Sequence, residues 1–262
     1  MKDYEILFLD MDGTILRPDH TIEESTITAI NEMKKKGIEV VLATGRPLHE
    51  ILDTAKELKI DSFIAYNGAF AIYKGQEVFK EYMKHEIVTE YLSVAENKNH
   101  DLIFYTRTNN LPTNLESPRV KDFLNEFDLR KNKLFTTNIM NDILAMTVIT
   151  NEQSERIYYP KFDGIFLSPV NVAGMHHCFD VIMENVNKGV AVQSMLEHLN
   201  IPREHSIAFG DGLNDKEMIS FVGEGFAMGN GHPDLFSYAK HTTSTVNDSG
   251  IYNGLKSLGL LK

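Results

Sequence analysis

The stretch "LFLDMDGTIL" (7–16) sets two aspartates, Asp10 and Asp12, directly behind an apolar run. A second acidic stretch, "GDGLND" (210–215), carries Asp211, Asn214 and Asp215. Between them stand Thr44, Gly45 and Arg46 in "ATGR", Asn67 with Gly68, and Lys188 in "NKG". Singly these are turn or cap residues, since Asp-Gly favours tight turns and Thr and Asp cap helices. Together they put hydroxyl, amide, cationic and carboxylate groups at the ends of several apolar runs, which turn chemistry does not explain. Two like charges ~4 Å apart repel by about 4 kcal/mol at an effective dielectric of 20. Asp10, Asp12, Asp211 and Asp215 converging on one cleft would therefore need a hard cation. Mg²⁺ suits a site with few protein oxygens, because waters and phosphate oxygens complete its octahedral shell.

The elements that must hold these residues are readable from periodicity. Residues 5–10 form a short apolar run ending in a turn, the pattern of a strand buried on both faces. Thr21 and Glu24 suggest a capping box, Ile22, Ala29, Ile30 and Met33 recur at helical spacing, and Gly37 closes that helix. Strands at 38–43 and 62–66 flank a helix at 48–58, an alternation that predicts a parallel sheet. It resumes with a helix at 189–199, a strand at 206–210, a helix from Asp215 to Phe221, a strand at 225–228 and two further helices. Ligands of such sheets bind beyond the carboxyl ends of the strands, where the polar residues fall.

The middle of the chain reads differently: helices at 86–97 and 119–127 and strands at 102–106, 143–150, 163–167 and 178–183, joined by long polar loops. The expected organisation is an α/β core built from 1–81 and 186–262, with an α+β module at 82–185 inserted into it.

Composition bounds the function. With 262 residues, 42% of them hydrophobic, the chain has material for one large domain or two smaller ones. A formal net charge of -11 argues against nucleic acid as the main partner, although a local cation can still hold a small anion. The apolar run before Asp10 is too short for a signal-peptide core, no run approaches a membrane span, and Cys178 is the single cysteine, so a cytoplasmic protein without membrane association is expected. Cys178 lies beside His176 and His177, but adjacent residues of a strand point to opposite faces, so a metal site in "MHHCFD" is set aside for a strand near the surface. Oligomeric state is not legible.

"DMDGT", "ATGR", "NKG" and "GDGLND", in this order and on strand ends, resemble the four motifs of the haloacid dehalogenase (HAD) superfamily of phosphohydrolases. The insert between the second and third motifs, with "YNGA" and "AMGNG", is similar to Cof-type members with a class IIB cap, which have a Rossmann-like core. The resemblance implies that Asp10 is a nucleophile forming an aspartyl-phosphate and a ligand of Mg²⁺. Asp12 would lend its backbone carbonyl to the metal and act as acid and base through its side chain. Thr44, Gly45, Lys188 and Asn214 would bind the phosphoryl group, Asp211 would complete the carboxylate ligands, and Asp215 would act through its neighbours. Arg46 is a candidate for substrate contact. Gly231, where alanine is usual, is expected to matter little. The implied activity is Mg²⁺-dependent release of phosphate from small phosphorylated metabolites such as sugar phosphates. The alternatives are a phosphomutase resembling phosphomannomutase and a non-catalytic sensor of phosphometabolites, and two carboxylates that would only repel an anion speak against the sensor.

Overall fold

The computed structural model describes residues 3–170 and 172–262. The chain divides into two compact units, one formed by the chain up to Arg46 with Asp53–Phe79 and Asn187–Lys262, the other by Pro47–Leu52 with Lys80–Val186.

The first unit is built on an eight-stranded sheet. The chain runs β1 (Ile6–Leu9), α1 (Glu24–Lys35), β2 (Glu39–Ala43), α2 (Leu48–Leu58, whose residues up to Leu52 group with the second unit), β3 (Phe63–Ala65), β4 (Phe70–Tyr73) and β5 (Gln76–Lys80). The second unit follows with α3 (His85–Lys98), β6 (Asp101–Tyr105), β7 (Asn110–Pro112), α4 (Pro118–Glu126), β8 (Ala145–Ile149), β9 (Ile165–Pro169) and β10 (Cys178–Met183). The chain then returns to the first unit with α5 (Lys188–Leu199), β11 (Ser206–Gly210), α6 (Lys216–Phe221), β12 (Glu224–Ala227), β13 (His241–Thr242) and α7 (Gly250–Ser257).

The strand order of the first sheet is β13-β12-β11-β1-β2-β3-β4-β5, parallel from β13 to β3. All four residues of β1 are buried, as expected for a strand covered on both faces. Ile6, Phe8, Val41, Ala43 and Ile64 pack on Ala191, Val192, Met195 and Leu196 of α5. Beyond β3 the sheet departs from the expected pattern. β4 pairs antiparallel with β3, and Lys74 and Gly75, both at positive φ, turn the chain into β5. Two such residues between short alternating runs favour a hairpin.

α1 begins later than the suggested capping box. Its N-cap is Glu23, without a side-chain cap, while the Thr21 amide and hydroxyl both donate to the Asp19 carboxylate at 3.0 and 2.6 Å. The local carboxylate satisfies Thr21 in a turn, so the hydroxyl does not cap the helix. Gly37, at φ +78°, ends the segment as expected.

The second unit holds an antiparallel sheet of order β7-β6-β8-β10-β9. Ile87, Val88, Tyr91 and Ala95 of α3 pack against Leu102, Phe104, Val148 and Phe179 from one face of it. Pro47–Leu52 groups with this unit because His49 Nε2 pairs with Asn110 Oδ1 at 2.8 Å, while the Asn110 amide donates to Glu50 Oε1 at 2.6 Å. Cys178 is fully buried with its thiol against Met175, and β10 lies inside the sheet, so the expectation of a surface strand there is corrected. No described helix is long and apolar enough to cross a membrane.

Candidate active site

All residues of the candidate site belong to the first unit and lie at or just beyond the carboxyl ends of β1, β2, β3 and β11, or at the start of α5. The Asp10 amide donates to the Phe209 carbonyl at 3.0 Å, which extends the β1–β11 pairing by one residue and seats the Asp10 side chain beside the β11 loop. Lys188 opens α5, whose N-cap Asn187 accepts from the Val190 amide at 3.0 Å. That cap fixes the first turn and sends the Lys188 side chain back under the strand ends.

Lys188 is 0% exposed, and its ammonium donates to Asp10 Oδ1 and to Asp215 Oδ1, each at 2.6 Å. Burial alone would lower the Lys188 pKa, but the carboxylates of Asp10 and Asp215 outweigh it and hold the ammonium above its ordinary range. Asp215 is fully engaged: its Oδ2 accepts the amides of Asp211 and Gly212, both at 3.0 Å. It therefore orders the β11 loop as well as Lys188. Gly210 makes room for it, since a Cβ there would lie 2.4 Å from the Asp215 carboxyl carbon.

Asp10, Asp211 and Asp215 each present a carboxylate oxygen within 4.8 Å of the others. At that separation each pair of ionised groups repels by about 3 kcal/mol at an effective dielectric of 20. Burial first, and then the Asp215 charge, push the Asp10 carboxyl well above the usual carboxylate range. The same two causes raise Asp211 to about 6. One lysine does not neutralise three carboxylates, and an all-oxygen donor set suits a hard divalent cation. With Asp215 satisfied by Lys188 and two amides, Asp10 and Asp211 are the side chains left to hold it. No described residue donates to the Asp12 carbonyl, which leaves that oxygen available as well.

The Asp12 carboxylate does not join the cluster, contrary to the expectation that four aspartates converge. It is half exposed, and Arg46 grips it with Nε on Oδ2 at 2.8 Å and Nη2 on Oδ1 at 2.6 Å. Such a two-point pair fixes the plane of the carboxylate. Arg46, the candidate for substrate contact, is paired with Asp12 in this structure. Thr44 is buried at the end of β2, its amide donating to Ile64 at 2.8 Å and its hydroxyl oxygen accepting the Arg46 amide at 3.1 Å. The hydroxyl proton remains for another acceptor. The Asn214 amide donates to Asn67 Oδ1 at 2.9 Å, beside Gly45.

Three further residues shape the site. Gly13 sits at φ +78°, and a Cβ there would lie 2.1 Å from Asp211 Oδ2. Asn230 donates to the Gly13 carbonyl at 2.8 Å and lies 3.4 Å from Asp211 Oδ2. Gly231 lets the chain pass Met228, since a Cβ would come within 2.9 Å of its carbonyl, so this position is tighter than expected. "DGT" and "GNG" were the available signals: glycines beside polar residues mark close backbone approach.

The profile of the haloacid dehalogenase-like hydrolases matches residues 7–255. The chain is 30% identical over 265 residues to YkrA of Bacillus subtilis (strain 168), a protein provisionally named a phosphatase, covering 99% of this chain and 100% of that one. It is 27% identical over 265 residues to the 5-amino-6-(5-phospho-D-ribitylamino)uracil phosphatase YitU of the same organism, covering 96% of each. Among solved structures, the HAD subclass IIB sugar phosphatase BT4131 superposes with a TM-score of 0.80 at 26% identity, over 98% of this chain and 100% of that chain.

Proposed function

The chain belongs to the haloacid dehalogenase-like hydrolases of the Cof type, and from that premise we propose that it is a Mg²⁺-dependent phosphatase of small phosphate monoesters carried on sugars or other polyols. The observation that carries this reading is the fully buried Lys188 ammonium shared between Asp10 and Asp215. It holds the Asp10 carboxylate in place at a strand end while leaving Oδ2 to react.

In the proposed reaction a carboxylate oxygen of Asp10 attacks phosphorus, the bond to the ester oxygen breaks, and the departing alcohol takes a proton from Asp12. Water then attacks the aspartyl-phosphate, gives a proton back to Asp12, and inorganic phosphate leaves with Asp10 regenerated. For the first half Asp12 takes up a proton from solvent, to which its half-exposed carboxyl is open, and for the second half it is ionised, with Arg46 fixing its plane. Thr44, the Gly45 amide, Lys188 and Asn214 are assigned to the phosphoryl oxygens, where positioned donors contribute most to phosphoryl transfer. A divalent cation held by Asp10, Asp211 and the Asp12 carbonyl would offset the negative charge of the site and of the phosphate. Two relatives support the polyol class, one named for a ribityl phosphate and the other a sugar phosphatase, while others at 25–26% identity are named HMP-PP phosphatases.

The test is phosphate release from a panel of sugar, polyol and nucleoside phosphates with Mg²⁺, run beside Asp10→Asn. Release by the parent and none by the variant is expected. Return of phosphate to another position of the same sugar would favour the mutase, and an active Asp10→Asn would remove the covalent route.

A further inference from the structure

The turn after β3 is the most unusual backbone of the first unit. Tyr66 and Asn67 both sit at φ 53° and Gly68 follows at φ 104°, three left-handed residues in succession. Asparagine tolerates that region but tyrosine there is an outlier, and two adjacent non-glycine residues need support from their surroundings. Here the surroundings are the functional loops. The Asn67 amide donates to the Thr44 carbonyl at 3.1 Å and the Tyr66 amide to the Arg46 carbonyl at 3.2 Å. Gly68 lies against the start of α5, where a Cβ would come within 2.3 Å of the Asn187 carbonyl. The turn is thereby stitched to the loop bearing Thr44 and Gly45 on one side and to the residue before Lys188 on the other.

This backbone presents one side chain to the site. Asn67 Oδ1 accepts from Asn214 at 2.9 Å, and a Cβ on Gly45 would lie 2.8 Å from Oδ1 and 3.1 Å from Nδ2. The Asn67 side chain thus occupies the space that the missing side chain of Gly45 leaves. With Oδ1 fixed by Asn214, Nδ2 is a half-buried donor to which no described residue offers an acceptor. A donor held in place among Thr44, Gly45 and Asn214 fits an anionic oxygen.

We propose that Asn67 is a binding residue for the phosphoryl group, donating through Nδ2 to one of its oxygens. This rests on the phosphatase reading above and adds a group to it. A role confined to shaping the turn predicts the opposite response to one substitution. Glycine adopts left-handed backbone more readily than asparagine, so Asn67→Gly relieves the turn while removing the donor. Asn67→Asp, which keeps an oxygen for Asn214, separates loss of the Nδ2 donor from loss of the partner of Asn214.

The experiment compares the parent, Asn67→Gly and Asn67→Asp, with Mg²⁺ present, by turnover of p-nitrophenyl phosphate, inhibition by inorganic phosphate and thermal melting. For Asn67→Gly the expected result is an inhibition constant for inorganic phosphate raised about tenfold, the worth of one hydrogen bond to a charged group, with an unchanged or higher melting temperature. Asn67→Asp should weaken phosphate further, because a carboxylate would face the anion. Phosphate inhibition within twofold of the parent in both variants overturns the proposal, as does a loss in Asn67→Gly that follows a fall in melting temperature. If the parent releases no phosphate from any ester, the phosphatase reading fails by itself, and calorimetric titration of inorganic phosphate into the same three proteins applies the same criteria to Asn67.

Discussion

Replacing Lys188 by methionine isolates the electrostatic problem that the site poses. The substitution keeps an unbranched side chain one atom shorter and removes a fully buried ammonium that donates to Asp10 and Asp215 at 2.6 Å each. Removing one partner of a buried pair costs about 3–5 kcal/mol because the other charges are left uncompensated. An independent estimate agrees: two carboxylates within 4.8 Å repel by about 3 kcal/mol at an effective dielectric of 20. For a protein of this size each kcal/mol corresponds to roughly 2–4 °C, so Lys188→Met should melt about 6–20 °C below the parent in EDTA at pH 7.5. The double variant Lys188→Met/Asp215→Asn should recover most of the loss, because the repelling charge has gone with the lysine. Circular dichroism melts of the parent, both single variants and the double variant supply the cycle. Lys188→Met melting within 2 °C of the parent would refute the argument, and so would a double variant no more stable than Lys188→Met.

Two further outcomes follow from the same carboxylates. The folded-state pKa of Asp211 is raised from 3.8 to about 6 by burial and by Asp215, and that of Asp10 is raised as well. A raised folded pKa means that the stabilising contribution is fully present below the unfolded value and is lost as pH rises through about 6. The cation-free protein should therefore be more stable at pH 5 than at pH 7.5 by about 1.4 kcal/mol from Asp211 alone, the full contribution of about 3 kcal/mol being reached only below pH 3.8. Mg²⁺ should flatten the profile by raising stability mainly at the higher pH, and a flat profile in EDTA would sink this reasoning. Gly13→Ala combines a strained φ of +78° with a Cβ 2.1 Å from Asp211 Oδ2, so a loss of about 2–3 kcal/mol and of at least 100-fold in kcat/KM is expected, measured by melting and by phosphate release.

Much of this was legible in the sequence because the strands of the first sheet are buried on both faces and read as uninterrupted apolar runs. β11 spans the predicted residues, and α2 starts and stops where its periodicity does. The four motifs could be placed because polar residues at the ends of such runs stand out. What escaped was pairing at a distance. Nothing in the spacing of Asp12 and Arg46, 34 residues apart, says that the arginine pairs with this carboxylate. The β4–β5 hairpin was missed although Lys74-Gly75 between alternating runs is a turn signal, because short edge strands take their identity from the partner they pair with. Thr21 went astray for a local reason, since Asp19 competes for the hydroxyl that would have capped α1.

The split of the first unit around the second also sets an order of events during synthesis. Asp10 and Lys188 are separated by 178 residues, and β1 pairs with β11 across the same gap. At about 5–20 residues per second, Asp10 waits roughly 10–40 s on the ribosome before its lysine is made. In that interval β1 has β2 on one edge and nothing on the other, while nearly all of the second unit, Lys80–Val186, has been completed as a continuous segment with its own apolar cluster. The acidic centre therefore closes late, once the segment that brings its counter-charge has been made and β11, which follows it in the chain, takes its place beside β1.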